Sequence, residues 1–555
     1  MADYLMIFSI SPVQSFIASS RKTQDLYNGS KILSNMIRSQ LDFLHKKDSV
    51  EIVFPNSENQ SLPNRLMFKV NSKDDSFITE LGNKMEKNSH SYLYKLSFDA
   101  LKKSDKILLA QIDSFFQCHW SAVEIKDTYE SAYSELERKH AGIKKIGIFK
   151  QLGNGKGEQG RKCSLCGEHN ALIFNKSTNR IPNFLSENAF PINSNLLKES
   201  ESICSICALK RFSNTLSFPS VSEIAMKKSL LPEEIQQLKS MNIDPEILYQ
   251  ETDIEKYLES ENKQVSLGNV KKVRNEINNR CKNEGVKLPK YYALIMYDGD
   301  SIGKLLSGAK LQEGENLQNF HIALAKSLSI NAKESSKIVD KVGKSVYAGG
   351  DDFLGFCSLD SLLPTLTQLN NTFEEKVNKE LKSYLKPSSE ITMSAGIVIA
   401  HYKTPLHIVL NWARNMEGIS KDIKGKNSVT LAVLKHSGDI QKTTWQWGNL
   451  IGKMNFVLEQ LKIGNFSTNF IYTLEKEFKN LNNDKENDSY DRQFATEIKR
   501  LIKRSVIENK SVSQENMDKL YEVCLDLKSN FESSEDYFGL MRIIAFLDRE
   551  LGGEK

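Results

Sequence analysis

Residues 347–353 read Tyr-Ala-Gly-Gly-Asp-Asp-Phe and lie between two apolar, β-prone runs. A glycine pair in that setting permits the positive φ angles of a tight hairpin, and its missing Cβ atoms let a triphosphate approach the backbone. The hairpin tip would then present Asp351 and Asp352. Because Gly and Asp are also frequent in ordinary surface turns, the heptapeptide needs support from elsewhere in the chain.

A third carboxylate supplies that support. Residues 291–297 form an apolar run that predicts a strand, and Asp-Gly-Asp at 298–300 follows it directly. Mg²⁺ and Mn²⁺ prefer oxygen ligands, and two such ions held close together stabilise both oxygens of an in-line displacement at phosphorus. The pattern therefore predicts a nucleotidyl-transfer centre in which Asp298, Asp351 and Asp352 bind the ions.

Residues beside these aspartates are candidates for nucleotide binding. They are Gly299, Asp300, Ser301, Gly349 and Gly350. Ser301 opens a predicted helix, whose first amides could hold phosphate oxygens with help from the helix dipole. A simple N-cap serine explains Ser301 equally well.

Two further groups of polar residues could contact a nucleotide. Lys421 and Lys424 lie at the end of a predicted helix after the last strand of the same unit, where they could neutralise a triphosphate. A solvated basic helix end is the alternative. In the N-terminal segment, three residues could contact a base or a phosphate, namely Gln14, Arg21 and Ser30. A helix packed on its own sheet explains the same pattern.

Composition sets broad limits on the chain. Its 555 residues predict three to four domains. The 75 basic and 70 acidic residues give a net charge of +5, which permits nucleic-acid contact without demanding it. No apolar stretch approaches the roughly 18 to 20 residues of a membrane span, so we expect a cytoplasmic protein without a membrane contact.

Four of the eight cysteines are arranged as two Cys-x-x-Cys knuckles. They are Cys163 with Cys166 and Cys204 with Cys207. Two such knuckles can present four thiolates to one tetrahedral Zn²⁺. Because a four-thiolate site leaves no open position for a substrate, the predicted zinc is structural.

The order of predicted elements indicates an α+β fold with two ferredoxin-like βαββαβ units. We expect a first palm at 1–130, a zinc-binding and helical domain at 131–285, a second palm with the hairpin at 286–437, and a helical C-terminal domain at 438–555. Beyond about residue 440 no strand is predicted. The polar runs 153–160 and 482–489 predict flexible connections.

These motifs, in this order, resemble the large, polymerase-like subunit of type III CRISPR effector complexes, in particular that of the Cmr (III-B) branch. The resemblance extends over roughly residues 1–430. It rests on residues 11–17 with Arg21, Asp25 and Gly29-Ser30, on the four knuckle cysteines, on 298–300, on 349–352, and on Ser394-Ala395-Gly396.

The resemblance implies two facing palms, a zinc-bearing domain between them, and a C-terminal domain that contacts small subunits. Family members convert ATP to cyclic or linear oligoadenylate second messengers when the guide RNA of their complex pairs with a target RNA. Other Cmr subunits and both RNAs would be the partners. By carry-over, Gly349 and Gly350 border ATP, and Ser11, Gln14 and Ser30 hold the acceptor nucleotide. S-adenosylmethionine is an alternative acceptor in the first palm, and its product would be an adenylated S-adenosylmethionine.

The sequence departs from the family in one respect and leaves two other functions open. Many relatives begin with an HD nuclease domain, but none of the nine histidines here is followed by aspartate, so we expect no DNA cleavage. A diguanylate-cyclase-like enzyme shares the palm and hairpin, although such enzymes usually have one palm per chain. A non-catalytic scaffold of the ribonucleoprotein would gain nothing from clustered like charges.

Overall fold

A computed structural model of the chain describes residues 2–552, apart from 59–60, 73, 104, 147–159, 177–188, 193, 195, 214–217, 251–252, 261–264, 479–487 and 508–509. The two polar runs for which the sequence predicts flexible connections, 153–160 and 482–489, lie largely outside the described residues. None of the helices in the described part is long and apolar enough to cross a membrane.

The N-terminal unit is an antiparallel sheet with the strand order β2-β3-β1-β4 of a ferredoxin-like fold. Residues 5–8 are a continuous apolar run because both faces of the central strand are covered, one by α2 and α3 and the other by α5. The elements are β1 (Ala2–Ser11), α1 (Gln14–Ala18), α2 (Thr23–Leu44), β2 (Val50–Phe54), β3 (Arg65–Ser72), α3 (Asp75–Leu101), α4 (Lys106–Phe115), β4 (Gln117–Glu124) and α5 (Tyr129–Lys145).

The next region combines a small cysteine-bearing sheet with a group of helices. Its three short strands are ordered β6-β5-β7, and the helices from α8 onward enclose an apolar core of their own. The elements are β5 (Ile173–Asn175), β6 (Phe190–Ile192), β7 (Ser202–Ile203), α6 (Ser205–Phe212), α7 (Val221–Ala225), α8 (Pro232–Ser240), α9 (Ile254–Ser260) and α10 (Leu267–Asn283).

The second palm has a six-stranded sheet in the order β13-β12-β11-β8-β10-β9. Its four βαββαβ strands have the same arrangement as the first palm, and a further hairpin extends the sheet beside β11. The elements are β8 (Tyr291–Gly299), α11 (Ile302–Leu306), α12 (Leu317–Val342), β9 (Gly343–Ala348), β10 (Phe353–Ser358), α13 (Leu362–Phe373), β11 (Met393–His401), α14 (Leu406–Asp422), β12 (Ser428–Leu434) and β13 (Ile440–Gln446).

Strand β13 contradicts the expectation that no strand lies beyond about residue 440. It pairs antiparallel with β12 along its whole length, so the sheet of the second palm continues past residue 437. The buried side chains of this edge strand alternate, but two of them are the polar Gln441 and Thr443. This polar composition hides the strand from a hydrophobic pattern.

The C-terminal region is helical after β13, as the sequence predicts. Its helices are α15 (Leu450–Lys462), α16 (Asn469–Phe478), α17 (Asp488–Arg504), α18 (Gln514–Ser529) and α19 (Ser534–Leu551). They share an apolar core with the helical side of the second palm, and α19 packs against β13.

The two palms are in direct contact. Helix α12 of the second palm packs against β2 and α5 of the first, and α2 of the first palm packs against β9 of the second. These contacts leave a cleft between the palms that opens at the carboxyl end of β8, where the hairpin between β9 and β10 also lies.

Candidate metal and nucleotide site

Three carboxylates converge where β8 ends. The antiparallel register pairs Phe353 with Tyr297, which places Asp352 of the hairpin beside Asp298 at the end of β8. One carboxylate oxygen each of Asp298, Asp351 and Asp352 lies within 4.8 Å of the others. The cluster that the two separate motifs predict is therefore present in the structure.

Each glycine of the two motifs is required for a different steric reason. Gly350 has a φ of +118°, which only glycine adopts without strain. A Cβ on Gly349 would lie 1.9 Å from the Tyr347 hydroxyl, and a Cβ on Gly299 would lie 3.1 Å from the Cβ of Asp351. Gly349 thus makes room for a tyrosine ring, and Gly299 lets the hairpin tip lie over the end of β8.

Desolvation and mutual repulsion raise the pKa of two of these carboxyl groups. Loss of surrounding water, then the charge of Asp298, raises the pKa of Asp351 from 3.8 to about 6. Asp352 is the most exposed of the three residues, and its carboxylate lies beside the other two at the wall of the cavity. Desolvation and these two charges raise the pKa of Asp352 well above its usual value. The oxygen set fits hard divalent cations, which would relieve this repulsion.

This raised pKa leads to a pH-dependent effect of metal on stability. The folded protein favours protonated Asp351, so the stability gained from that group is complete below about pH 4 and is lost as the pH rises through about 6. Divalent cations bind the ionised form. We therefore expect Mn²⁺ to raise Tm little at about pH 5 and more at about pH 7.5. Thermal unfolding with and without Mn²⁺ measures this, and a Tm increase that does not vary with pH would contradict it.

Lys421 forms an ion pair with one of the three carboxylates, and its contact with a triphosphate stays a prediction. Its Nζ donates to Asp298 and, at 2.7 Å, to Glu417 one turn earlier on α14. Burial alone would favour the neutral amine, but these two hydrogen bonds raise the pKa of Lys421. Lys424 is exposed, and its carbonyl accepts a hydrogen bond from Gln446 (3.1 Å).

The Ser394-Ala395-Gly396 segment explains how α14 comes so near. A Cβ on Gly396 would lie 2.3 Å from the carbonyl oxygen of Ala413, so glycine lets the helix backbone rest on β11. Ser420 Oγ donates to the carbonyl of Ala395 at 2.7 Å. This close packing holds Lys421 within reach of Asp298.

Asp300 is buried and is held in place by hydrogen bonds. It accepts them from Thr392 Oγ1 (2.8 Å), Ser394 Oγ (2.9 Å) and Asn427 N (3.0 Å).

The positions of Asp300 and Ser301 are explained by the fold itself, Asp300 by its hydrogen bonds and Ser301 by its backbone conformation. The three donors to Asp300 fix the end of β8 to β11 and to the loop before β12. Ser301 precedes the short α11 with a φ of +57° and makes no side-chain cap. Their contact with a nucleotide stays a prediction.

A cavity of about 270 Å³ lies between the palms beside the carboxylates. Asp351, Asp352 and Gly349 line one wall, and Asn64, Arg65 and Tyr133 of the first palm are among the residues that line the other. Arg65 forms an ion pair with Glu137 there. Sequence patterns missed Arg65, because an arginine at the start of a strand has no local motif that marks it.

The four N-terminal candidates do not line this cavity. Ser11 is half-buried at the end of β1, Gln14 and Arg21 are exposed, and Ser30 is buried within α2. Their role in nucleotide binding stays a prediction. The polar face of α2 that suggested it is instead turned to α6, where Asp25 pairs with Arg211 and Asn28 Nδ2 donates to the carbonyl of Lys210 (2.7 Å).

The four knuckle cysteines also come together. All four Sγ atoms lie within 4.8 Å of one another, and those of Cys166 and Cys204 are 3.8 Å apart. A tetrahedral zinc site with Zn–S bonds of about 2.3 Å has sulfur atoms about 3.8 Å apart, so the cluster fits Zn²⁺. Hydrogen bonds among the four side chains raise the pKa of Cys204 and Cys207 and lower the pKa of Cys166, as expected for sulfur atoms this close together.

Two family models match the chain. Residues 5–143 match the N-terminal model of the CRISPR-associated protein Cmr2, and residues 291–430 match the model of the second palm domain of Cas10/Cmr2. Together these segments make up half of the chain. Among curated proteins, the CRISPR system Cmr subunit Cmr2 of Pyrococcus furiosus is 25% identical over 566 aligned positions, which cover 80% of this chain and 63% of that protein.

Solved structures support the same fold. Type III-B Cmr-beta in its apo state contains a chain with a TM-score of 0.63 and 14% identity, and the match covers 98% of this chain and 82% of that one. Cmr-beta bound to cognate target RNA gives a TM-score of 0.64 and 13% identity, with 99% and 83% covered. The order of motifs, the two palms and the two family models lead to one conclusion: the chain belongs to the Cas10/Cmr2 family of large CRISPR effector subunits.

Proposed function

We propose that this chain is the nucleotidyltransferase subunit of a cytoplasmic type III-B CRISPR complex and makes a second messenger from ATP when target RNA is bound. The observation that carries the proposal is the convergence of Asp298, Asp351 and Asp352 on the wall of a cavity between two palms. The product would be a cyclic or linear oligoadenylate, or ATP joined to S-adenosylmethionine. The family membership and the Cmr-beta fold support other Cmr subunits, guide RNA and target RNA as partners.

The reaction is an in-line displacement. A hydroxyl oxygen of the acceptor attacks the α-phosphorus of ATP, the bond from that phosphorus to the bridging oxygen breaks, and pyrophosphate leaves. Bound Mg²⁺ or Mn²⁺ would lower the pKa of the hydroxyl and stabilise the charge on the phosphates. The chain's part is to hold the ions with Asp298, Asp351 and Asp352 and to offer a backbone without Cβ atoms at Gly349 and Gly350. Zn²⁺ in the four-cysteine site would be structural.

Lys421 would serve two successive partners. Without metal, the Lys421 ammonium neutralises Asp298. When the Asp298 carboxylate binds a metal ion instead, the ion pair with Glu417 would keep Lys421 close by. The lysine charge is then available to the triphosphate. A charged hydrogen bond of this kind contributes about 1.5–3 kcal/mol.

We therefore expect Lys421→Met to raise the KM for ATP by roughly ten- to a hundredfold, since 1.4 kcal/mol is a factor of ten. Mn²⁺ binding without nucleotide should be unchanged or tighter, because Asp298 has lost a competing cation. Steady-state kinetics and Mn²⁺ titration measure the two effects. Lys424→Met is the matched comparison, and an equal rise in its KM would show that pairing with Asp298 does not single out Lys421.

The proposal is tested with the purified effector complex, carrying guide RNA, incubated with labelled ATP and Mg²⁺ or Mn²⁺. Matching target RNA and S-adenosylmethionine are each added to half of the samples. A target-dependent oligoadenylate supports the proposal, and a product that requires S-adenosylmethionine identifies that molecule as the acceptor. No product from an intact complex would refute the synthase function and favour the scaffold.

The diguanylate-cyclase-like alternative is tested in the same assay. Labelled GTP replaces ATP, and the chain is assayed both alone and in the complex. Two palms in one chain argue against it, because the second palm can meet a partner palm without a second copy of the chain. Cyclic diguanylate formed by the isolated chain would favour that alternative.

A further inference from the structure

Two buried cations join the cysteine-bearing region to the first palm. Lys210 on α6 is fully buried, and its Nζ donates to the carbonyls of Phe16 (2.7 Å) and Ser19 at the end of α1. Arg211 is 2% exposed and donates through Nε and Nη2 to the carboxylate of Asp25, at 2.7 and 2.8 Å. These contacts cross more than 180 residues of sequence, so they fix two distant segments to each other.

Two of the four cysteines of the proposed zinc site lie at the start of the same helix, before these cations. The side chain of Cys204 caps α6, and Cys207 lies in its first turn. Lys210 and Arg211 follow Cys207 by three and four residues, so all three share one side of the helix. A buried charge is tolerated only when its partners are in place, because desolvation otherwise outweighs the attraction. A bound ion would fix the rotation and position of α6 at Cys204 and Cys207. That placement of α6 therefore decides whether Lys210 can reach α1 and Arg211 can reach Asp25.

Helix α2 connects this contact to the catalytic hairpin. Asp25 lies in its first turn, facing α6, while the helix also packs against β9, the first strand of the hairpin. Val346 on β9 belongs to the same apolar core as Leu33 and Ile37 of α2. Strand β9 leads directly into Gly349 and the two aspartates.

We propose that zinc occupancy sets the geometry of the three-carboxylate centre through α6 and α2, with Lys210 and Arg211 as the positioning residues that transmit it. The catalytic consequence rests on the proposed function. The structural coupling between the two metal sites does not, so it is tested without turnover.

The first test is hydrogen–deuterium exchange of the full chain before and after zinc removal by a chelator, with zinc content measured in both samples. We expect faster exchange in α1, in the first turns of α2, and in residues 343–352, with α18 and α19 unchanged. Faster exchange confined to the cysteine-bearing region would overturn the proposal.

The second test measures Mn²⁺ affinity at the carboxylates by electron paramagnetic resonance, without nucleotide. We expect roughly five- to tenfold weaker binding in the zinc-free protein and in Asp25→Asn, which keeps its cysteines. Asp42→Asn, on the exposed side of the same helix, is the matched control and should bind Mn²⁺ like the wild type.

Two further variants test the coupling between the metal sites if Asp25→Asn fails to fold. Arg211→Lys keeps the buried charge but loses the two-pronged pairing with Asp25, and Lys210→Met tests the contact with α1 separately. If both retain zinc and bind Mn²⁺ as tightly as the wild type, the coupling does not exist. A chain that shows the coupling but makes no product from ATP would refute the proposed function alone.

Discussion

Product formation from ATP should fall by roughly three orders of magnitude when Asp351 or Asp352 is replaced by asparagine. An amide oxygen is a poorer ligand for Mg²⁺ than a carboxylate, and loss of the bound ion removes several kcal/mol of transition-state stabilisation. At 1.36 kcal/mol per factor of ten, about 4 kcal/mol accounts for this loss. The measurement is initial rates of pyrophosphate release by the target-bound complex.

The same substitution should stabilise the metal-free fold near neutral pH. Desolvation, together with the crowding of like charges, raises the pKa of Asp351 and Asp352, so their ionised forms are disfavoured in the fold. A higher Tm together with lost activity separates a catalytic defect from misfolding. Asp42→Asn, an exposed carboxylate on α2, is the control and should change neither quantity. A variant at 351 that keeps more than about a tenth of the wild-type rate would be incompatible with a role in metal binding.

Cys204→Ser should remove zinc and lower stability sharply. Structural zinc contributes folding free energy directly, on the order of 10 kcal/mol in small zinc peptides, although a domain with its own core loses less. Cys204 is also the N-cap of α6, so the loss extends to the contacts of α6 with α2. Zinc content by mass spectrometry and Tm by calorimetry measure both effects.

Cys118→Ser is the matched control for that substitution. Cys118 lies on β4, outside the cluster of four cysteines, so it is not expected to bind zinc. It should retain one zinc per chain. If Cys204→Ser also retains zinc, the four cysteines do not form the site.

The sequence alone predicted those features whose geometry is determined within a single short motif. A Gly-Gly-Asp-Asp turn between β-prone runs predicts a hairpin, and an Asp that ends the neighbouring strand falls beside it because antiparallel register is fixed. The two cysteine knuckles are likewise local, and only their meeting depends on the fold. Both clusters are confirmed as clusters of side chains by the structure.

Long-range contacts account for what the sequence did not reveal. Asp25 on the polar face of α2 pairs with Arg211, and no local pattern distinguishes that face from one that binds a nucleotide. Glu417 and Arg65 reach the site only through the packing of α14 and of the first palm. Strand β13 was missed because it buries Gln441 and Thr443 where an apolar residue was expected.

The central claim is that Asp298, Asp351 and Asp352 form a two-metal centre, and Mn²⁺ binding in the presence of a non-hydrolysable ATP analogue tests it most directly. Electron paramagnetic resonance of the wild-type chain should show two Mn²⁺ ions in magnetic contact, about 3.5–4 Å apart. The Asp351→Asn, Asp352→Asn double variant should lose this coupled signal. A coupled pair that persists in the double variant, or no coupled pair in the wild type, would contradict the account.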